Sequence, residues 1–185
     1  GKSTLLSIIA GLIKPEDGTI IVNKSDGTIG YPKIGYMLQK DHLLDWRSVY
    51  QNVILGLEIQ DKLTKENIEY VHELLEEYGL GSFKDKRPSE LSGGMKQRAA
   101  LIRTLALKPE LLLLDEAFSA LDYQTRLIVS ADICNIIRQT GKTMIMITHD
   151  LSEAVRLSDR VIVLTARPAS VKTEVPIQLT LQDSS

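Results

Sequence analysis

The sequence predicts an α/β protein, a parallel-sheet core interrupted by an inserted α-helical subdomain. Three observations predict it. Short β-type runs alternate with helical segments, as parallel strands joined by crossover helices do. Four consecutive leucines at 111–114 form an apolar run without polar alternation, which a strand buried on both faces requires. Residues from about 40 to 107 are helix-dominated and break the alternation, which places the inserted subdomain there within a single domain of 1–185.

Taken in order, residues 4–12 read as a helix whose apolar residues (Leu5, Leu6, Ile8, Ile9, Leu12) cover nearly every side, predicting burial all round. Gly11 and Pro15 bracket its end, and Asp17-Gly18 supplies a turn. Residues 19–22 and 34–38 are short β-type runs, and a helical pattern starts at Ser48. Thr64 is the expected N-cap of a helix in which Ile68, Val71, Leu75 and Tyr78 recur at helical spacing until Gly79. A further helix spans 95–107 before Pro109. After the leucine run comes a helix with Leu127, Ala131, Cys134 and Ile137 or Arg138 along one side. A strand at 143–148, a short helix after Asp150, a strand at 161–164 and a polar tail ending Asp183-Ser184-Ser185 complete the pattern.

Composition narrows the class. The 185 residues are 43% hydrophobic and 25% charged, enough apolar chain for a real core and too much for a disordered one. With 22 basic against 24 acidic residues the net charge is −2, which argues against a nucleic-acid partner held by bulk attraction. The single cysteine, Cys134, cannot form an internal disulfide and reads as a small core hydrophobe. No apolar run approaches the roughly 18–20 residues that span a bilayer, and no signal pattern opens the chain; it reads as soluble and intracellular.

Three motifs carry chemistry. Gly1-Lys2-Ser3-Thr4 matches the end of a phosphate-binding loop, in which Lys2 reaches the β- and γ-phosphates and the Ser3 hydroxyl ligates Mg²⁺. The helix behind it offers free N–H groups and a positive dipole end to the anion. Asp115-Glu116, closing the leucine run, places two carboxylates at the carboxyl end of a buried strand, where α/β sheets bind ligands. Asp115 is expected to hold the Mg²⁺ shell and Glu116 to act as general base on water. Ser92-Gly93-Gly94 precedes a helix, where its hydroxyl and close backbone approach suit an oxyanion.

In this order the chain resembles the nucleotide-binding domain of ATP-binding cassette (ABC) proteins, which have a P-loop NTPase core. Gly1-Lys2-Ser3-Thr4 is similar to the end of Walker A, Leu91-Ser92-Gly93-Gly94-Met95 to the L-S-G-G-Q signature with Met95 in place of Gln, and Leu112 through Glu116 to Walker B. Ser119-Ala120-Leu121-Asp122 is similar to the D-loop, Thr148-His149-Asp150 to the switch histidine, and Gln39 to the Q-loop. The resemblance implies ATP and Mg²⁺ as ligands, with Gly1, Lys2, Ser3 and Thr4 around the triphosphate. It implies Ser3, Gln39 and Asp115 as the metal-binding residues, and Glu116 and His149 as the catalytic pair. It also implies a head-to-tail dimer, in which Ser92, Gly93, Gly94 and Asp122 of one copy act on ATP held by the other.

The segment from Leu38 to Arg47, with Trp46, looks like the Q-loop region of importer ATPases for nitrate, sulfonate and taurine, and residues 43–46 are then expected to meet a coupling helix of a membrane permease. Trp46 is equally compatible with a packing role, and His42 and His72 read as solvated. The expectation is an ATP-hydrolysing importer subunit on the cytoplasmic face of the membrane, bound to permease subunits and only indirectly to a solute-binding protein. The alternatives are a soluble ABC ATPase outside transport and an exporter cassette. Because the chain opens inside the phosphate loop, it reads as a fragment whose isolated form binds ATP feebly or folds poorly.

Overall fold

The computed structural model describes residues 1–22, 30–119, 121–139, 141–166 and 168–178. Its elements are α1 (Lys2–Ile9), β1 (Ile34–Met37), α2 (Val49–Val53), α3 (Leu55–Ile59), α4 (Lys65–Glu77), α5 (Gly93–Leu105), β2 (Leu111–Asp115), α6 (Tyr123–Gln139), β3 (Thr143–Ile147), α7 (Leu151–Leu157), β4 (Arg160–Leu164) and β5 (Val171–Pro176). Single 3-10 turns at Gly81–Phe83 and Pro88–Glu90 lie between α4 and α5.

Strands β1, β2 and β3 form a parallel sheet in that order, with Met37 beside Leu114 and Asp115 beside Ile147. All five residues of β2 are buried, as a central strand without alternation demands. Side chains alternate across the sheet, so its leucines divide between two cores. Leu112 and Leu114 join a large cluster with residues of α2, α4, α5 and α6, whereas Leu111 and Leu113 meet Leu6 and Ile147 on the opposite face.

Local signals account for several boundaries. Ser48 caps α2 in a reciprocal capping box with Gln51. Thr64 caps α4 through the Asn67 N–H, and Gly79 leaves that helix at φ 68°, a left-handed backbone that glycine adopts freely. Ser92 starts α5 two residues earlier than the sequence indicates, by accepting from the Met95 N–H.

Four expectations change. Helix α1 is fully buried only at Leu6, which packs on the sheet with Leu111, Leu113 and Ile147, while Leu5 on the helix is 46% exposed and Leu12, beyond its end, 70%. Residues 19–22 form no strand: among the described residues a single backbone bond, from the Gly30 N–H to the Val22 carbonyl at 3.4 Å, reaches them, and one bond makes no ladder. The strand at 160–164 is not part of the parallel sheet; it pairs antiparallel with β5, an exposed strand that the sequence does not announce. The buried stripe of α6 runs through Val129, Ile133 and Ile137 with Cys134 beside it, and Leu127 and Ala131 are half-buried flanks. The side chain of Arg138, Ala120 and the tail from 179 lie outside the described residues.

Candidate functional site

Parallel strands leave the sheet at one edge, and here three exits converge. Gln39 follows β1, Glu116 follows β2 and His149 follows β3. Helix α1 packs on β2 at the same edge and begins at Lys2. Gly1 caps this helix without a side chain, and the first turn holds no acidic residue, so its leading N–H groups stay open. Lys2, Ser3 and Thr4 are exposed, and Lys2 makes no ion pair or hydrogen bond among the described residues.

Asp115 is buried at 8% exposure and takes two hydroxyls. Ser3 Oγ donates to Oδ1 at 3.1 Å, and Tyr36 Oη to Oδ2 at 3.5 Å. Burial pushes the Tyr36 hydroxyl above its usual pKa against a hydrogen bond with Ser7, and the nearby Asp115 charge adds to the rise. One carboxylate beside one hydroxyl is a hard-oxygen donor pair. Among the described residues no group of three or more His, Cys, Asp or Glu gathers that could hold a metal by itself. That donor pair suits Mg²⁺, which binds through one or two carboxylates with phosphate and water filling its octahedron.

Glu116 sits at φ 47°, a left-handed backbone that costs a non-glycine residue about 1–2 kcal/mol. Its N–H donates to the Ile147 carbonyl at 2.9 Å, which ties the strained turn to β3. Its carboxylate Oε2 lies 3.4 Å from His149 Nδ1 and accepts from Gln39 Nε2 at 3.5 Å. Gln39 also donates to Ser119 Oγ at 3.2 Å, and that hydroxyl donates to the Glu116 carbonyl at 2.8 Å. The His149 side chain is 62% exposed, open to a ligand above the sheet edge.

The structure thus brings Ser3, Asp115, Gln39, Glu116 and His149 together, with Lys2 beside Ser3 at the start of α1. Ser92, Gly93, Gly94 and Asp122 stand apart, with no hydrogen bond or ion pair to that cluster among the described residues. Ser92 and Gly93 are exposed, while Gly94 is buried where a Cβ would lie 3.1 Å from Thr125 Cγ2 and Val129 Cγ2. The second glycine therefore lets α5 approach α6, a packing reason that the reading of an oxyanion contact misses. Asp122 is exposed and caps α6 by accepting from the Thr125 N–H at 3.1 Å; hydrogen bonds from Thr125 hold its carboxyl below the usual range.

Two neighbours escaped the sequence reading. Tyr36 lies one residue before the end of β1, where nothing distinguishes it from a packing aromatic. Arg126 of α6 donates to the Leu121 carbonyl at 3.2 Å and lies 3.5 Å from Asp150, so it bridges the turns that carry Asp122 and His149.

Comparison with known proteins gives the family. The family model for ABC transporters matches residues 1–119. The ABC transporter ATP-binding protein YtlC of Bacillus subtilis is 47% identical over 171 residues, covering 92% of this chain and 66% of that protein. The nitrate import ATP-binding protein NrtD of Synechocystis sp. is 43% identical over 179 residues, covering 97% of this chain and 67% of the relative. The chain thus spans about two thirds of the length of these relatives. A dimeric structure of the ATP-binding cassette MJ0796 in a post-hydrolysis state, bound to ADP and Pi, superposes with a TM-score of 0.76 at 29% identity, over 97% of this chain and 82% of the other. On sequence and fold alike, the chain belongs to the ABC transporter family.

Proposed function

We propose that the chain binds and hydrolyses ATP with Mg²⁺ as the energising subunit of an ABC importer for a small anionic solute, of which nitrate, sulfonate and taurine are the candidates. One observation carries the hydrolytic reading. Glu116 is held in a strained turn at the end of the central strand, touched by Gln39 and His149, one residue from the Asp115–Ser3 pair. A nitrate import protein among the relatives supports the solute class.

Ser3 and Asp115, with Gln39, would hold Mg²⁺, which neutralises phosphate charge and orients the triphosphate. Lys2 and the open N–H groups of α1 take up the β- and γ-phosphate oxygens, with Gly1 and Thr4 at the same turn. Glu116 accepts a proton from water on one carboxylate oxygen as the water attacks the γ-phosphorus and the bond to the β,γ-bridging oxygen breaks, so that ADP leaves with that oxygen and phosphate is released. His149 faces the γ-phosphate, and Gln39 reports its presence along the segment to Trp46.

Ser92, Gly93, Gly94 and Asp122 serve a second cassette in a head-to-tail dimer; the exposure of Ser92, Gly93 and Asp122 supports this. Trp46, 72% exposed on the loop before α2, offers an aromatic anchor to permease subunits, which hold the protein at the cytoplasmic membrane face. A solute-binding protein acts only through that permease, and no nucleic acid is involved. Among the described residues no helix is long and apolar enough to cross a membrane.

The test is Mg²⁺-dependent ATP hydrolysis by the full chain, alone and with permease, beside Glu116→Gln. The variant is expected to bind ATP and lose turnover by about 10²–10⁴-fold. Turnover equal to the parent removes Glu116 as the base, and no turnover in either, with permease present, removes the ATPase reading.

A further inference from the structure

Helix α5 begins at the Ser92–Gly94 turn and ends beside the segment that follows Gln39. At that far end Arg103 forks onto two consecutive carbonyls, Nη2 donating to Asp41 O at 2.5 Å and Nη1 to His42 O at 2.8 Å. Two parallel N–H donors on a planar guanidinium fix direction as well as distance, which an ammonium cannot reproduce. His42 stands at φ 47°, so the clamped peptide is also the strained one. Asp41 Oδ1 accepts from the Leu43 N–H at 3.0 Å and tightens the same turn.

Packing alone does not hold this turn. A cavity of about 50 Å³ adjoins it, lined by residues 36–38 and 40–42 together with Arg103 and Thr104. Lys40 and His42 are themselves exposed. The guanidinium is thus the polar tie between the turn and α5, next to Leu43, which packs in the core cluster with α5. Two residues upstream, Gln39 reaches Glu116 and Ser119 through hydrogen bonds of 3.5 and 3.2 Å, long enough that a small shift of the backbone would break them.

We propose that Arg103 is a positioning residue for Gln39, which it holds on Glu116 by pinning the Asp41–His42 turn to α5. Because the same helix carries Ser92, Gly93 and Gly94 at its other end, a displacement of α5 is passed through Arg103 to Gln39. The inference rests on the reading of Gln39 and Glu116 given above.

A double-mutant cycle in the full chain tests it, with Arg103→Met, Arg103→Lys, Gln39→Ala and the combined variants, and kcat and KM for Mg²⁺-ATP measured separately. Arg103→Met is expected to lower kcat by about tenfold with KM within about twofold, as misplacement of a site group does. In the Gln39→Ala background the same change is expected to cost less than about twofold, because the residue through which it acts is gone. Arg103→Lys keeps the charge but not the fork and falls between; it replaces Arg103→Met in the cycle if that variant does not fold. An undiminished loss in the Gln39→Ala background, or no loss of kcat in either Arg103 variant, overturns the proposal. If the parent chain shows no turnover, the ATPase reading fails on its own, and the cycle is read on Mg²⁺-ATP affinity, where additive effects overturn the proposal.

Discussion

Asn52 uses its whole side chain on one loop. Its Oδ1 accepts from the Leu44 N–H at 2.7 Å, and its two N–H groups are shared among the carbonyls of Leu44, Arg47 and Ser48 at 3.0–3.3 Å. It is fully buried, so each group would otherwise be desolvated without return. Asn52→Leu is expected to destabilise the chain by about 3 kcal/mol in urea unfolding. It should also alter the emission of Trp46, the single tryptophan of the chain and part of the templated loop. Asp61 makes the opposite case, an exposed residue at φ 52° just after α3. Asp61→Gly is expected to add about 0.5–1 kcal/mol by relieving that backbone, read in the same unfolding experiment. Neither residue was legible in the sequence. A cap such as Thr64 declares itself by spacing within its own helix, whereas Asn52 serves residues up to eight positions upstream whose loop has no periodicity.

Elements were legible where their signal is local. The leucine run and the Thr64 cap lie within a few residues of the structures they set. Pairing is not local, which is why 19–22 reads as a strand and is none, and why β5 was missed. Its composition is that of any mixed segment until β4 is laid beside it with Arg160 against Pro176. Helix α7 carries a further device. Asp150 caps it through the Ser152 and Glu153 N–H groups, which favours acid in the first turn, yet burial pushes the Glu153 carboxyl above its ordinary value of 4.5. The Asp150 charge reinforces the shift, while Thr148, Arg126 and His149 oppose it. A carboxyl whose folded pKa is raised binds more protons folded than unfolded, so its contribution to stability falls as pH rises above about 4.5. Glu153→Gln removes this fall. Unfolding of parent and variant at a series of pH values from 4 to 7 should therefore show the difference moving in favour of the variant as pH rises. A difference independent of pH would mean that the carboxyl is solvated in the folded chain.

At the scale of the molecule, the site and the core share one strand. Strand β2 supplies Leu111 and Leu113 to one face, Leu112 and Leu114 to the other, and delivers Asp115 and Glu116 at its carboxyl end. This much was legible, because an apolar run without alternation must be covered on both faces, and the two acids that end it fall where a parallel sheet meets its ligand. What the sequence did not disclose is that the last strands lie outside the sheet. Hairpin β4–β5 meets α7, and all six residues of β5 are exposed. A sheet of two strands with one open face holds few buried apolar groups, so it should open without disturbing β1–β3. Native-state hydrogen exchange in the full chain checks this. The β2 amides are expected to exchange only through global unfolding, with a strong dependence on denaturant. Those of β4–β5 should exchange through a smaller opening with a weak denaturant dependence, at least about 2 kcal/mol less protected. Equal protection and equal dependence would make the hairpin part of one cooperative unit with the sheet. Such a result would require an additional surface against β5, since the contacts among the described residues do not account for it. The expected separation has a consequence for the site. His149 lies on the turn between β3 and α7, at the boundary between the two levels of stability, whereas Asp115 and Glu116 end the most protected strand. The carboxylates are then fixed and the histidine is the member of the cluster free to move. Exchange at Asp150, whose N–H donates to Thr148 Oγ1 at 3.0 Å, should fall between the β2 and β4 values.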